Sequence, residues 1–134
     1  MFSHVTVGAS DFARARKFYD AVLPLIGLAR FYENEANGSL GYSPNPPRPP
    51  QFWVLKPLDG KPASRGNGVT IAFEVPEREK VDAFHVAALA NGGTDSGPPG
   101  LRPHYHRNYY GAYVLDPDGN KICVVCHKRP QPAA

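Results

Sequence analysis

The side chains of this sequence that are suited to chemistry lie in four places. His4 stands near the start, and Thr70 and Glu74 share one face of a later apolar run. The segment Arg102–Tyr110 holds two histidines and three tyrosines, and Cys123 lies in an apolar run near the end. Imidazole, carboxylate and thiolate groups can move protons or bind metals. These groups can act together only if the fold brings some of them close to one another.

The segment around His104 has the highest density of such groups. If it is extended, His104 and His106 point to the same side. Together with Arg102, Tyr109 and Tyr110 they could stack on a planar ligand, hold an anion or move protons. This makes the two histidines candidate catalytic residues and the other three candidate substrate-binding residues. The alternative is that the segment packs at a dimer interface, where such residues are common.

Cys123 and Cys126 have a C-x-x-C spacing, which is also found in redox pairs and zinc sites. Both lie in a run that is predicted to be a strand, where residues three apart point to opposite faces. The two thiols then cannot bridge each other or bind one metal. Separate, reduced thiols in a cytosolic protein are the better interpretation.

A β-hairpin is predicted over residues 111–125. Its turn is Asp116-Pro117-Asp118-Gly119, in which proline presets φ and glycine accepts a positive φ. Both arms are rich in residues that favour strands. The hairpin places Cys123 within a sheet.

The rest of the chain alternates strands and helices. A strand at 2–8 precedes an amphipathic helix that Ser10 and Asp11 cap, and a second strand at 69–75 precedes a helix that Pro76-Glu77 opens. Further strands are predicted at 28–33, 38–42 and 51–56, the last of which carries Trp53, and a proline-rich loop spans 44–50.

The two halves match at a constant offset of 66 residues. His4 falls on Thr70, Phe18 on Phe84, and the strand, helix start and helix end agree in the same register. We infer a duplicated βαβββ unit within a single α+β domain. The units span about 1–58 and 68–127, with a short linker between them and a frayed tail from 128 to 134.

Two such units predict a cleft. The fully apolar strand faces belong under the helices, so the mixed faces, which carry His4, Thr70 and Glu74, must line the cleft. Polar groups on a concave face are costly if they are dry and unpaired, which indicates water, a metal or a ligand there. Trp53 is a further candidate substrate-binding residue.

Four segments together resemble one family over nearly the whole chain. They are Phe2-Ser3-His4-Val5-Thr6-Val7, Ala13-Arg14-Ala15-Arg16-Lys17-Phe18-Tyr19, Gly68-Val69-Thr70-Ile71-Ala72-Phe73 and Asp116-Pro117-Asp118-Gly119-Asn120-Lys121-Ile122. The chain resembles the vicinal oxygen chelate superfamily, the glyoxalase/bleomycin-resistance/extradiol-dioxygenase group. The resemblance implies tandem βαβββ modules that form a curved mixed sheet with a central cleft, and a homodimer.

The resemblance also implies one divalent metal in the cleft. His4 matches the first ligand position, whereas Thr70 stands where a second histidine is usual and Cys123 where a glutamate is usual. His4 and Cys123 are thus the candidate metal ligands. A catalytic zinc site has three protein ligands, and Glu74 could supply the third. The alternative for His4 is a hydrogen-bonded histidine in the cleft without a metal, and the alternative for Cys123 is a small buried thiol. Tyr113 is similar in place to a tyrosine that assists extradiol cleavage, which makes it a catalytic candidate.

Composition excludes several classes of function. The net charge of +3 is scattered over 134 residues, so a nucleic-acid-binding surface is not predicted. No apolar run reaches the roughly 20 residues of a membrane span, and the start lacks the pattern of a signal peptide, so a cytoplasmic protein is expected.

Three functions remain open for a small-molecule ligand. The first is a glyoxalase-like lyase, isomerase or dioxygenase that acts in the cleft. The second is a metal-free binding protein of the drug-sequestering, bleomycin-resistance type. The third is metal-free acid–base catalysis in which His4, His104 or His106 carries the proton.

Overall fold

The structure, a computed structural model, describes residues 1–130, so the predicted tail lies partly outside the described residues. Within them, two α-helices and eight strands follow the same order in both halves. The first half comprises β1 (His4–Gly8), α1 (Phe12–Val22), β2 (Ala29–Asn34), β3 (Ser39–Ser43) and β4 (Gln51–Leu55). The second comprises β5 (Ile71–Glu74), α2 (Arg78–Ala90), β6 (Thr94–Leu101), β7 (Tyr110–Leu115) and β8 (Lys121–Cys126).

Each half forms a four-stranded mixed sheet, which confirms the predicted α+β class with tandem modules. The strand orders are β1-β4-β3-β2 and β5-β8-β7-β6. β1 runs parallel to β4 and β5 runs parallel to β8, while the other pairs are antiparallel. Since β1 and β5 stand at the ends of these orders, each pairs with only one strand within residues 1–130.

The first helix begins where the sequence predicts. The Asp11 carboxylate accepts a hydrogen bond from the Arg14 N–H at 3.0 Å and so caps α1. Gly27, with φ of 88°, ends the short 3-10 turn that follows α1, a conformation that favours glycine. No helix within the described part of the chain is both long and apolar enough to cross a membrane. Four residues of α1 at spacings of three and four are buried: Ala15, Phe18, Tyr19 and Val22.

The predicted hairpin is confirmed as β7 and β8, and its turn reaches back to the first half. Asp116 is buried and accepts hydrogen bonds from the Tyr19 hydroxyl at 2.5 Å and from the backbone N–H groups of Asp118 and Asn120. The Asn120 side chain donates to the Gly8 carbonyl at 3.1 Å. The turn therefore joins the two halves as well as the two strands.

One apolar core lies beneath both sheets. The rings of Phe52 and Phe73, one from each sheet, have centroids 5.6 Å apart. At Gly93, a Cβ atom would stand 2.8 Å from the Phe18 ring, so glycine lets this ring pack against the start of β6. Of the fully apolar strand faces, Val7 lies within this core, whereas Val5, Ile71 and Phe73 are only partly buried against it.

Two local features differ from the sequence expectation. No strand was predicted in the Gly- and Pro-rich stretch from Ser96 to Pro103, but β6 occupies most of it and includes Pro98 and Pro99. These prolines are tolerated because β6 is an edge strand that pairs only with β7. Helix periodicity places His85 on the polar side of α2, yet it is buried, with Nε2 2.9 Å from the Asp95 carboxylate.

Candidate functional site

A cavity of about 540 Å³ lies between the edges of β1 and β5. Its walls are mainly apolar, as is usual for a small-molecule site. The side chains of four of the lining residues are polar: His4, Gln51, Thr70 and Glu74. The apolar lining residues are Phe2, Val5, Ile26, Gly27, Leu28, Pro44, Pro50, Ile71, Ala72 and Phe73.

The cavity brings together His4, Thr70 and Glu74, which the sequence placed on the mixed strand faces. His4 is exposed, and its Nδ1 lies 3.0 Å from the Ser3 hydroxyl. Glu74 is also exposed, at the end of β5. An imidazole and a carboxylate thus border one largely apolar space, where they can exchange protons with a polar group of a ligand.

Trp53 lies on the first sheet beside this cavity. Its indole N–H donates to the Gln51 side chain at 3.2 Å, and Gln51 lines the cavity. The ring lies over Gly41 of β3, where a Cβ atom would come within 2.8 Å of it. Phe31 meets the same ring in an edge-to-face arrangement and Tyr32 in a tilted one, with centroids 5.5 and 5.4 Å away. Trp53 is therefore held in one orientation by its neighbours.

Cys123 and Tyr113 lie on the second sheet, opposite each other on β8 and β7. The Tyr109 hydroxyl lies 2.7 Å from the Tyr113 hydroxyl and 3.6 Å from the Cys123 sulfur. The Tyr109 ring lies over Gly111, where a Cβ atom would come within 2.9 Å of it. We call Tyr109, Tyr113 and Cys123 the phenol–thiol cluster.

All three groups of the phenol–thiol cluster hold their protons near neutral pH. Burial raises the pKa of Cys123, although the tyrosine hydroxyls and two nearby cations act against this. Burial also raises the pKa of Tyr109 and of Tyr113. The cluster is therefore a set of neutral hydrogen-bond donors and acceptors rather than a thiolate or phenolate centre.

The segment that contains His104 and His106 forms turns rather than an extended strand. Its rings stack on one another, with centroids 4.3 Å apart for His104 and Tyr105 and 4.8 Å apart for Tyr105 and Tyr109. His106 Nε2 lies 2.9 Å from Nδ1 of His127. Both histidines of the segment are exposed, and neither lines the cavity between β1 and β5.

Tyr110 lies apart from these groups. Its hydroxyl donates to Asp82 of α2 at 2.6 Å, and the Arg78 guanidinium stands 5.1 Å from its ring centre. These contacts place Tyr110 towards the helix. Arg102 lies beside Tyr113, with its guanidinium 5.7 Å from the ring centre.

Sequence reasoning missed two polar groups, Gln51 and His127. The contact of Gln51 with Trp53 could have been found, because residues two apart on a strand share a face. The approach of His127 to His106 spans 21 residues and depends on how a loop folds. Nothing in the sequence signals that contact.

Comparison with known proteins assigns the family. The model of the Glyoxalase/Bleomycin resistance protein/Dioxygenase superfamily matches residues 1–124. The chain belongs to this superfamily. A glyoxalase/bleomycin resistance protein from Albidiferax ferrireducens T118 has a similar crystal structure, with 42% sequence identity, a TM-score of 0.80, and 97% of this chain and 99% of that chain covered. No curated protein matched the sequence.

Two solved structures of lower sequence identity show that the fold is shared, and no more than the fold. A glyoxalase-related enzyme from Fulvimarina pelagi has 21% identity and a TM-score of 0.72, with 94% of this chain and 87% of that chain covered. Lactoylglutathione lyase from Agrobacterium tumefaciens has 17% identity and a TM-score of 0.64, with 94% and 92% covered. These likenesses do not assign a reaction to the chain.

The side chains present in one chain do not fit the divalent metal that the superfamily resemblance implies. Within residues 1–130 no three His, Cys, Asp or Glu side chains come close enough to hold a metal ion. His4 borders the cavity between the sheets, whereas Cys123 is a buried, protonated thiol in the phenol–thiol cluster. The Thr70 hydroxyl is a poor ligand for a divalent metal.

Proposed function

We propose that this superfamily member binds a largely apolar small molecule in the cavity between β1 and β5, without a metal. The observation that carries the proposal is the cavity itself. About 540 Å³ of space is bordered mainly by apolar side chains, with a few polar groups at defined positions. This combination is typical of small-molecule sites, where apolar walls provide affinity and polar groups fix orientation.

The proposal can be tested because Trp53 is coupled to the cavity. Gln51 lines the cavity and accepts the indole N–H of Trp53, so an occupant that moves Gln51 changes the environment of the indole. N-phenyl-1-naphthylamine, a neutral apolar probe, should gain fluorescence on binding and alter Trp53 emission. Treatment with a chelator should leave this binding unchanged.

A matched pair of variants locates the binding site. Ala72 is exposed and lines the cavity, so Ala72→Phe fills part of the space. Ala83 is exposed on α2, away from the cavity, and Ala83→Phe adds the same ring there. We expect Ala72→Phe to weaken probe binding about tenfold or more, which corresponds to roughly 1.4 kcal/mol, and Ala83→Phe to leave it unchanged. Equal binding by both variants would refute the site, and a requirement for added metal would refute the metal-free form.

Acid–base turnover in the same cavity is the second candidate function. It is favoured by the placement of His4 on β1 and Glu74 on β5, where both border the cavity. General acid–base groups contribute about 10²- to 10⁴-fold to a rate. Isomerisation of the methylglyoxal–glutathione adduct is the reaction to assay first, because a lactoylglutathione lyase shares the fold. Activity that is lost in His4→Ala and in Glu74→Gln would establish this function, and activity equal to wild type in both would exclude it.

A homodimer is part of the proposal. β1 and β5 each have one edge without a strand partner within residues 1–130, and unpaired edges are normally covered. Phe2 and Val69, which flank these edges in the sequence, are exposed large apolar residues. A second copy would cover them. Sedimentation velocity should show two chains per particle, and a monomer at all concentrations would contradict this part.

We also propose a cytoplasmic location. Cys123 and Cys126 are both free, as expected for a protein kept in a reducing compartment. Fractionation of cells that express the tagged chain would check this proposal. Recovery of the chain outside the cytoplasm would contradict it.

A further inference from the structure

Two cations flank the ring of Tyr113 on the second sheet. The Arg102 guanidinium lies 5.7 Å from the ring centre, and the Lys121 ammonium lies 5.1 Å from it. Both side chains are half-buried. Two positive charges held beside one ring add up to a local positive potential at the phenol–thiol cluster.

No carboxylate neutralises these cations at close range. Among residues 1–130, neither Arg102 nor Lys121 forms a salt bridge within 4.0 Å. Arg102 donates instead to the carbonyls of Pro98 and Gly100, at 2.8 and 2.9 Å, which fixes the guanidinium without cancelling its charge.

The charge of Asp95 interacts with that of Arg102, but the Asp95 carboxylate is already engaged. His85 and the Gly97 N–H both bind the Asp95 carboxylate. The hydrogen bond from His85 is the main cause that lowers the pKa of Asp95, and the charge of Arg102 adds a smaller effect. Asp95 therefore attenuates the positive potential of Arg102 but does not form an ion pair with it.

The phenol–thiol cluster supplies a hydrogen-bond donor to the same place. The Tyr109 and Tyr113 hydroxyls lie 2.7 Å apart and either can be the donor, so the accepting hydroxyl can turn its own proton towards a ligand.

Space adjoins Lys121. The residue borders a second cavity, of about 230 Å³, which lies at the Gly8 end of β1, beside the segment 64–69 and the β7–β8 turn, and which Arg102, Tyr109 and Tyr113 do not line. The cavity has a further cation and hydroxyl and amide groups in its lining, and none of its lining residues is acidic: Thr6, Val7, Gly8, Ser64, Arg65, Gly66, Val69, Ile71, Asn120 and Lys121. An anionic group can therefore approach Lys121 through a surface that is free of like charge.

We propose that the second sheet holds an oxyanion site, in which the hydroxyl pair of Tyr109 and Tyr113 and the charges of Lys121 and Arg102 bind the carboxylate or phosphate of a small molecule. None of these four residues lines the cavity between β1 and β5, although Ala72, which does, pairs with Cys123 of the phenol–thiol cluster. Charge-assisted hydrogen bonds of this kind are short and about twice as strong as neutral ones. A cationic ligand is excluded here by the same two charges.

Isothermal titration of the full chain with benzoate, benzamide and phenyl phosphate tests the site. Benzoate and benzamide have similar shape, but only benzoate carries a charge. We expect benzoate or phenyl phosphate to bind and benzamide to bind about tenfold more weakly or not at all, since hydrogen bonds to charged groups are stronger than those to neutral groups. The tighter of the two anions identifies carboxylate or phosphate as the preferred group.

Variants assign that binding to residues. Lys121→Met keeps the length of the side chain and removes its charge, and Lys80→Met makes the same change on the exposed face of α2. Anion affinity should fall about tenfold in Lys121→Met and stay unchanged in Lys80→Met. Tyr109→Phe, which keeps the ring and removes the hydroxyl, should also weaken binding of the anion. Equal effects of the two lysine variants, equal binding of benzoate and benzamide, or no binding of either anion would overturn the proposal. The apolar-probe assay on the other cavity is independent of each of these results.

Discussion

Replacing Tyr19 by phenylalanine removes one hydroxyl from the buried junction between α1 and the β7–β8 turn. This hydroxyl donates to Asp116 at 2.5 Å, and both residues are almost fully buried. Asp116 keeps its other donors, which are the N–H groups of Asp118 and Asn120 and the Asn120 side chain. Only the direct hydrogen bond to a charged acceptor is therefore lost, which contributes about 2 kcal/mol.

For a domain of this length, a loss of about 2 kcal/mol lowers Tm by about 7 °C. Thermal unfolding followed by circular dichroism measures this directly. Tyr32→Phe is the matched control, because Tyr32 lies exposed on β2. If Tyr19→Phe and Tyr32→Phe unfold at the same temperature, the hydrogen bond to Asp116 does not stabilise the fold and the reasoning is wrong.

The same group sets an alkaline limit on stability. Burial, with the charge of Asp116 as a second cause, raises the pKa of Tyr19 well above its ordinary value. The folded chain thus keeps a proton that the unfolded chain releases near pH 10, so stability is full below that pH and falls above it by about 1.4 kcal/mol per pH unit. Urea unfolding at pH 8, 10 and 11 should show the advantage of wild type over Tyr19→Phe shrinking above pH 10. A constant difference would contradict this assignment.

Two further predictions concern the sheets. Gly41→Ala places a Cβ atom 2.8 Å from the Trp53 ring and should shift Trp53 emission and destabilise the fold by about 1–3 kcal/mol, whereas Gly8→Ala, whose Cβ contacts are 3.4 Å or longer, should leave the emission unchanged. Cys123 and Cys126 are buried, and burial raises the pKa of Cys123, so an aromatic disulfide reagent should modify them only after unfolding. Rapid modification of both thiols in the native chain would show that the second sheet is open.

Local patterns in the sequence were sufficient to predict most of the fold. The turn at Asp116 and the cap at Asp11 both depend on residues a few positions apart, and the structure confirms them. β6 was predicted less well, because prolines disfavour a strand unless it is known to lie at an edge. The buried position of His85 depends on Asp95 of a neighbouring strand, which helix periodicity cannot reveal.

The candidate sites show the same division. His4, Thr70 and Glu74 border one cavity because the duplication places their strands in equivalent positions, and that duplication is visible in the sequence. The positions of Trp53 over Gly41 and of Tyr109 between Tyr113 and the thiol depend on contacts across strands and loops. No spacing rule within one segment predicts such contacts.

The turn that joins the halves has a consequence for how the chain is made. The backbone N–H of Ser10 donates to the Asp118 side chain, which lies 108 positions later in the chain. The Tyr19 hydroxyl donates to Asp116, which lies 97 positions later. During translation the first half therefore leaves the ribosome before these partners exist, with only the contacts of its own half, such as those of Tyr19 with Tyr42 and Phe52, to cover α1. Contacts of such long sequence separation form slowly, and apolar surface that is exposed in the meantime promotes aggregation. The junction between the halves is complete only after the last hairpin has been released.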